Sequence, residues 1–124
     1  MKRFIGFYTV LLGTILPQVA IGQIVPDGTL PSDVATPDNL NFTITAGSRV
    51  GDNLFHSFSE FSIPTSGSAT FVNAADVHNI FSRVTGDSIS QIDGLLEAQG
   101  TANLFLLNPN GIIFGENATL NIGG

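Results

Sequence analysis

The sequence contains no cysteine, and lysine and arginine together account for only four of its 124 residues. Without cysteine, disulfide bonds and thiolate metal ligands are excluded. Charged residues make up 11% of the chain and hydrophobic residues 43%, a composition that argues against intrinsic disorder. The chain must therefore be stabilised by an apolar core and by backbone pairing, and its length allows one domain at most.

The segment at residues 1–22 has the three parts of a secretory signal peptide. A basic start at residues 1–3 precedes an apolar run at residues 4–16, and small residues follow at Ala20 and Gly22. We predict cleavage between Gly22 and Gln23. A transmembrane anchor is disfavoured, because a span needs about 20 apolar residues and this run is shorter. The predicted organisation is a signal peptide at residues 1–22 and a single domain at residues 23–124.

The predicted mature part, residues 23–124, is strongly acidic. Its certain cations are Arg49 and Arg83, against all ten carboxylates, so its net charge is 2 − 10 = −8. Phosphate backbones and anionic membranes repel such a chain, and we expect neither nucleic-acid binding nor stable membrane insertion. An exported domain without disulfides is more typical of the bacterial envelope or exterior than of a small eukaryotic secreted domain.

From residue 41 onward, short apolar and β-branched runs alternate with Gly, Asn, Asp and Ser, which predicts an all-β fold. Residues 23–40 contain three prolines and are predicted to form an extended arm with at most one short strand, at residues 24–25. Residues 74–79 are the one stretch with the character of a helical turn. We interpret Phe55, Phe58 and Phe61 as core anchors on a loop or on a single turn.

The runs at residues 104–107 and 112–114 are apolar on both faces, whereas strands of a sandwich usually alternate between apolar and polar residues. Turn signals also recur at a loose period. These features favour a right-handed parallel β-helix with an N-terminal arm or cap, built from coils of about 20 residues, over a sandwich or a barrel.

Between those two runs lies Asn108-Pro109-Asn110-Gly111, in which each residue suits its place in a type I turn. Asn108 can bond the backbone two residues on, Pro109 fixes φ, and Gly111 accepts a positive φ. The alternative is a β-hairpin loop, which would usually leave a polar face on its flanking strands. We therefore place the turn at a covered corner of the solenoid, where the Asn side chains satisfy buried peptide groups.

This motif and several blocks before it resemble the N-terminal secretion domain of filamentous-haemagglutinin-like exoproteins, the cargo of two-partner secretion in Gram-negative bacteria. The most specific block covers residues 102–112 and continues with Phe114-Gly115. Earlier blocks follow the family order and lie at residues 23–29, 44–47, 53–58, 61–63, 79–80 and 82–86.

The resemblance implies an export and folding-nucleation module, with no enzymatic activity and no cofactor. Such a domain crosses the inner membrane by its signal peptide and stays unfolded in the periplasm. A cognate outer-membrane β-barrel transporter recognises it through periplasmic domains, and it then folds as a β-helix in the medium or on the cell surface. We expect recognition at Asn108, Pro109, Asn110 and Gly111, with Asn53 and Arg83 as weaker candidates.

Family members usually continue beyond the length of this chain, which stops without a polar capping segment. We interpret the sequence as a fragment, as the product of a truncated reading frame, or as the partner of another chain. Binding to a host or neighbouring-cell surface would then belong to a downstream region. Two rivals from other classes stay open: a secreted carbohydrate-active β-helix enzyme, and a free-standing carbohydrate-binding or adhesion module.

Several other polar residues have both a functional and a structural interpretation. His56 and His78 are separated by roughly one predicted coil and could stack to bind a metal, but no cysteine or paired carboxylate completes a site, so unrelated positions are favoured. Arg83 is expected to pair with Asp76 or Asp87 at a strand end. For the carboxylates we favour a turn-forming role over a catalytic pair of a glycosidase or lyase. These residues are Asp87, Asp93, Glu97 and Glu116.

The glycosylation sequons and the acidic arm also have more than one interpretation. The sequons at residues 41–43 and 117–119 are interpreted as coincidental strand chemistry in a bacterial exoprotein. The acidic arm at residues 27–38 is either a surface for the transporter or a cap over the first coil.

Overall fold

The computed structural model describes residues 23–123, so the predicted signal peptide, its boundary residue Gly22 and the terminal Gly124 lie outside the described residues. About 53% of the structure is β-strand, and the described part contains no helix. Accordingly, no described segment is a helix capable of crossing a membrane. The twelve strands are β1 (Ile24–Pro26), β2 (Ser32–Ala35), β3 (Asn41–Ala46), β4 (Ser48–Val50), β5 (Asn53–Phe61), β6 (Ser68–Phe71), β7 (Asn79–Val84), β8 (Ser90–Ile92), β9 (Leu95–Ala98), β10 (Asn103–Leu107), β11 (Ile112–Phe114) and β12 (Thr119–Asn121).

The strands form a β-solenoid of about three turns with three sheets along its length. The first sheet has the order β1-β5-β7-β10, with β4 also on β5; the second contains β8 and β11; the third has the order β2-β3-β6-β9-β12. Strands of successive coils pair in parallel within each sheet. The predicted stacked and parallel architecture is therefore confirmed.

The coils are longer than the sequence pattern predicts. In the first sheet Asn53 pairs with Asn79 and Asn79 with Asn103, which gives sequence offsets of 79 − 53 = 26 and 103 − 79 = 24. In the third sheet Ser68 pairs with Leu95, an offset of 95 − 68 = 27. The corners take the additional residues, and corner length is hard to infer from turn signals alone.

The interior is filled by aromatic and aliphatic side chains from all three sheets. Phe58 and Phe61 meet with ring centroids 5.3 Å apart, and Phe61 stacks on Phe71 at 6.0 Å. Each is at most 1% exposed. Burial of such side chains is the main force that holds the coils together, at about 1.5–3 kcal/mol for each large side chain. Fully buried isoleucines complete the layers at Ile44, Ile63, Ile80 and Ile92.

The N-terminal arm forms an antiparallel cap on the first coil. Strand β1 pairs with β5, and β2 pairs with β3. The prediction of at most one strand in this arm is wrong, because β2 is a second one. Of the two interpretations of the acidic arm, its backbone pairing fits the cap.

Two other local predictions need correction. Residues 74–79 contain a single hydrogen-bonded turn, in which Val77 N donates to Ala74 O at 3.1 Å, but they form no helix. Phe55, Phe58 and Phe61 lie in the nine-residue strand β5 rather than on a loop. In the β1–β5 pairing, a β-bulge in β5 leaves one residue unpaired between Phe58 and Glu60. The bulge shifts the inward and outward alternation of β5 by one residue, so Phe58 and Phe61 are both buried although they are three residues apart.

Candidate recognition site

The turn at residues 108–111 connects β10 to β11, and these two strands do not pair with each other. Strand β10 pairs with β7 and β11 with β8, both in parallel. The hairpin alternative is therefore excluded. Gly111 N donates to Asn108 O at 3.0 Å, and Asn110 N donates to Asn108 Oδ1 at 2.9 Å. The φ of Gly111 is +116°, whereas the φ of Asn110 is not positive. A type I turn requires a negative φ at its third residue, which here is Asn110.

Both Asn side chains of the turn bind the corner of the coil before it. Asn108 Nδ2 donates to Ser88 O at 3.0 Å and to the buried Ser90 Oγ at 2.9 Å. Asn110 Nδ2 donates to Gly86 O at 2.7 Å. The two amides thus satisfy backbone carbonyl groups that lie outside the strand ladders.

The turn is less covered than predicted. Pro109 and Asn110 are exposed, and Asn108 is half-buried. The flanking strands expose their outward residues as well, and Phe105, Leu107, Ile113 and Phe114 are between 45% and 55% exposed. The expectation of a covered corner is wrong for this reason: in β10 the outward positions are as apolar as the inward ones, and the sequence pattern cannot distinguish them.

Asn53 belongs to a ladder of amides on the first sheet. Asn79 Nδ2 donates to Asn53 Oδ1 and Asn103 Nδ2 to Asn79 Oδ1, each at 3.0 Å. A parallel ladder of phenylalanines runs two residues further along the strands. Phe81 stacks between Phe55 at 5.2 Å and Phe105 at 4.8 Å. In this ladder Asn53 lies two coils before Asn103, which is in the strand that leads to the turn at residues 108–111.

The prediction that Arg83 pairs with Asp76 or Asp87 is wrong. Its Nε donates to Ser57 Oγ at 2.8 Å and its Nη2 to Thr29 Oγ1 at 3.0 Å. Arg49 is the residue that binds Asp76, with Nη1 and Oδ1 2.9 Å apart. Arg83 therefore joins the second coil to the first coil and to the arm.

Asp27 is the acceptor at the centre of this network. Its carboxylate accepts from Ser57 Oγ at 2.5 Å and Thr85 Oγ1 at 2.7 Å, and from both the backbone N and the hydroxyl of Thr29. Partial desolvation raises the pKa of Asp27, but the hydrogen bonds outweigh it and hold the pKa far below its usual range. The hydroxyls of Ser57 and Thr29 thus link Arg83 to Asp27, because each accepts a hydrogen bond from the guanidinium and donates one to the carboxylate.

The sequence pattern did not reveal this network. Asp27-Gly28-Thr29 carries the signal of a local turn, a carboxylate with a hydroxyl two residues later. The partners Ser57, Arg83 and Thr85 are 30 to 58 residues away and become neighbours only through the register of the coils.

The two histidines lie apart and have different surroundings. His56 is 1% exposed, with Nδ1 2.9 Å from Ser32 Oγ, and within residues 23–123 its Nε2 has no hydrogen-bond partner. Desolvation lowers the pKa of His56 to about 4. His78 is exposed and lies 3.3 Å from a carboxylate oxygen of Asp52. The register pairs His56 with Ser82, so His78 does not stack on it.

Two of the candidate catalytic carboxylates join successive coils. Asp93 accepts from the Thr65 hydroxyl and from the backbone and side-chain amides of Asn117. Glu97 accepts from Thr70 and Asn121. No cluster of three or more potential metal ligands occurs within residues 23–123. Asn117, the modifiable residue of the second sequon, is therefore already engaged in coil-to-coil contacts.

Comparison with known proteins decides the family. A family model described as the TPS secretion domain matches residues 22–124. The chain belongs to this family of two-partner secretion domains. Over 44 residues, 36% of this chain, it is 46% identical to the heme/hemopexin-binding protein of Haemophilus influenzae strain Rd, and the matched segment covers 5% of that protein. The resemblance inferred from the sequence motifs is thereby confirmed.

The chain is accordingly the secretion domain of a two-partner-secreted exoprotein. Membership of the family implies secretion through the periplasm to the cell surface or the medium. The carboxylate and turn chemistry described above fits that assignment, because the candidate residues Asp93, Asn108 and Asn110 all serve to join one coil to the next.

Proposed function

We propose that this secretion domain is recognised in its unfolded state by the periplasmic domains of a cognate outer-membrane β-barrel transporter, and that it nucleates β-solenoid folding outside the cell. The segment recognised is Asn108-Pro109-Asn110-Gly111. Asn53 and Arg83 are weaker contributors. The family match supports the transporter as partner.

One observation supports recognition of the unfolded chain rather than of the folded domain. The side-chain amides of Asn108 and Asn110 are both engaged by carbonyl groups of the preceding coil once the chain has folded. Their donors are free for a partner only before the coils stack. The same side chains that a transporter would read in the periplasm then become coil-to-coil contacts outside.

The composition fits such a route. Passage through a barrel requires an extended chain, and a chain without cysteine cannot be locked by disulfides on the way. The export route further includes a signal peptide at residues 1–22, cleaved between Gly22 and Gln23, and a domain that begins at Gln23. Binding to a host or neighbouring-cell surface belongs to other parts of the exoprotein.

The proposal is tested by comparing export of Asn108→Ala and Asn110→Ala with export of Asn117→Ala. Each substitution removes an Asn side chain that joins two coils, at a similar cost to the folded state of about 1 kcal/mol. We expect the first two variants to accumulate in the periplasm and the Asn117 variant to reach the medium at a yield close to wild type. Equal yields for all three variants would show that residues 108–111 are not recognised.

A further inference from the structure

Asn110-Gly111 is the single Asn-Gly pair in the sequence, and this pair has its own chemistry. Glycine lacks a Cβ, so its backbone nitrogen can approach the side chain of the residue before it without steric hindrance. The amide carbon of Asn110 is the electrophile within reach of that nitrogen. Asn108 is followed by Pro109, which has no N–H and cannot act in this way.

We propose that Asn110 is a deamidation site whose reactivity is controlled by folding. The Gly111 backbone nitrogen loses its proton and forms a bond to Cγ of Asn110. The bond from Cγ to Nδ2 breaks, and Nδ2 takes up one proton from solvent, equal to the one that Gly111 N released to solvent, and leaves as ammonia, which gives a five-membered succinimide. Water then opens the ring and leaves aspartate or isoaspartate at position 110. Water is the only co-reactant, and no oxidation or reduction is involved.

The folded structure blocks each requirement of this reaction. The nucleophile is held, because Gly111 N donates to Asn108 O at 3.0 Å. The leaving amide is held as well, because Asn110 Nδ2 donates to Gly86 O at 2.7 Å and to Asn108 Oδ1 at 3.1 Å. Ring closure must break these contacts and turn the side chain away from the second coil. In the unfolded chain none of them exists.

The product is also unable to restore the same contacts. A carboxylate at position 110 would face Gly86 O and Asn108 Oδ1 at the distances now spanned by N–H donors, so acceptors would meet acceptors. Isoaspartate would in addition lengthen the backbone of the turn by one carbon. A chain that has reacted therefore loses a contact between its second and third coils and gains repulsion in its place.

A consequence for export follows if the proposed function holds. A chain that waits unfolded in the periplasm would accumulate the modification, whereas a chain exported and folded promptly would be protected. The extent of reaction at Asn110 would then record the time spent unfolded. The chemistry itself is measured on the purified chain without a transporter, so its failure is distinguishable from failure of the proposed function.

The first experiment incubates the purified chain in one mildly alkaline buffer with and without guanidinium chloride, and follows each Asn by peptide mass spectrometry. We expect Asn110 to react at least about tenfold faster in denaturant than in the folded chain. Asn117, which precedes alanine, is the internal control and should react more slowly than Asn110 in denaturant. Equal rates for Asn110 in both conditions, or for Asn110 and Asn117 in denaturant, would overturn the proposal.

A second experiment measures the effect of the product directly. Asn110→Asp reproduces the aspartate form, and Asn39→Asp is the matched control, since it makes the same change in an exposed turn. We expect a lower denaturation midpoint for Asn110→Asp than for Asn39→Asp, and partially reacted wild-type protein should refold into two populations. A wild-type midpoint for Asn110→Asp would contradict the claim that the amide is required.

Discussion

The hydroxyl group of Thr85 donates a hydrogen bond to the carboxylate of Asp27 at 2.7 Å, across 58 residues of sequence. The contact joins the N-terminal arm to the second coil, while Ser57 joins the same carboxylate to the first. The cap is therefore complete only when the first two coils are in place. Export in an unfolded state, as proposed above, would be favoured by this dependence on distant residues, because the earliest residues of the domain cannot fold stably by themselves.

Replacement of Asp27 by Asn should destabilise the fold by about 2 kcal/mol, because hydrogen bonds to a charged group are lost and the buried Ser57 hydroxyl keeps a poorer acceptor. Urea unfolding measures the change. The matched control is Asp33→Asn in β2, an exposed carboxylate of the same arm, which should change stability by less than about 0.5 kcal/mol. Equal effects of the two substitutions would show that the network does not hold the cap.

The same network predicts acid sensitivity. The pKa of Asp27 is lower in the folded chain than its ordinary value of 3.8. The stability that Asp27 contributes to the folded chain is therefore fully present when the pH is above 3.8, and it is lost as the pH falls below 3.8. The Asp27→Asn variant should lose less stability than wild type over this acidic range, as measured by unfolding midpoints at stepped pH.

His56 predicts a second, separate pH dependence. Its pKa is about 4 in the folded chain against 6.5 for an ordinary histidine, because burial disfavours the charged form. The unfolded chain thus binds a proton at pH values between these two where the folded chain does not, and stability falls as the pH drops from 6.5 to about 4. The full loss is about 3 kcal/mol.

A His56→Gln variant should have nearly constant stability between pH 6.5 and about 4, although its overall stability is lower. The comparison is made by chemical denaturation across that range. A wild-type curve that is already flat there would contradict burial of a neutral imidazole beside Ser32, Phe58 and Phe71.

Gly47 is predicted to be intolerant of a side chain. It has φ +89°, and an added Cβ would lie 2.8 Å from Cε1 of His56. Gly47→Ala should cost well over the roughly 1–2 kcal/mol expected for the left-handed conformation alone. Gly100 has φ +73° with open space around it, so Gly100→Ala should show only the conformational cost. Thermal unfolding of the two variants separates the contributions, and similar losses would argue against close packing of His56.

Phe81 is the middle member of the aromatic ladder and should matter more than either end. Phe81→Ala removes two stacked contacts and should cost about 3 kcal/mol, whereas Phe105→Ala removes one and should cost about 1 kcal/mol. Phe81→Leu is the control that retains apolar bulk without stacking. If Phe105→Ala proved as costly as Phe81→Ala, the ladder would not be a cooperative feature of the first sheet.

Much of this fold could be predicted from local sequence, because turn residues and apolar runs mark strand positions directly. The apolar run at residues 112–114 coincides with strand β11, and the turn at residues 108–111 has the predicted type. Strand β4 and most of β5 were missed, since Asn53, His56 and Ser57 do not give β5 the texture of a buried strand.

The contacts that hold the candidate site could not be predicted in the same way. Whether Arg83 meets Asp87 or Thr29 depends on the register between coils, and the register depends on corner lengths that vary between coils. Outward exposure of Phe105 and Leu107 was likewise invisible, because in a solenoid an apolar outward residue can stack on its neighbour in the next coil.

The central claim is that residues 108–111 are recognised in the unfolded chain, and that folding engages the side-chain amides of Asn108 and Asn110 in contacts between coils, so that the transporter no longer binds them. The most direct measurement is binding of the chain to the periplasmic domains of its cognate transporter, with chain freshly diluted from denaturant and with refolded chain. We predict binding of the unfolded wild type, weakening of at least about tenfold on folding or in Asn108→Ala/Asn110→Ala, and unchanged binding in Asn117→Ala. Equal binding of the folded chain, or of the unfolded double variant, would contradict the account.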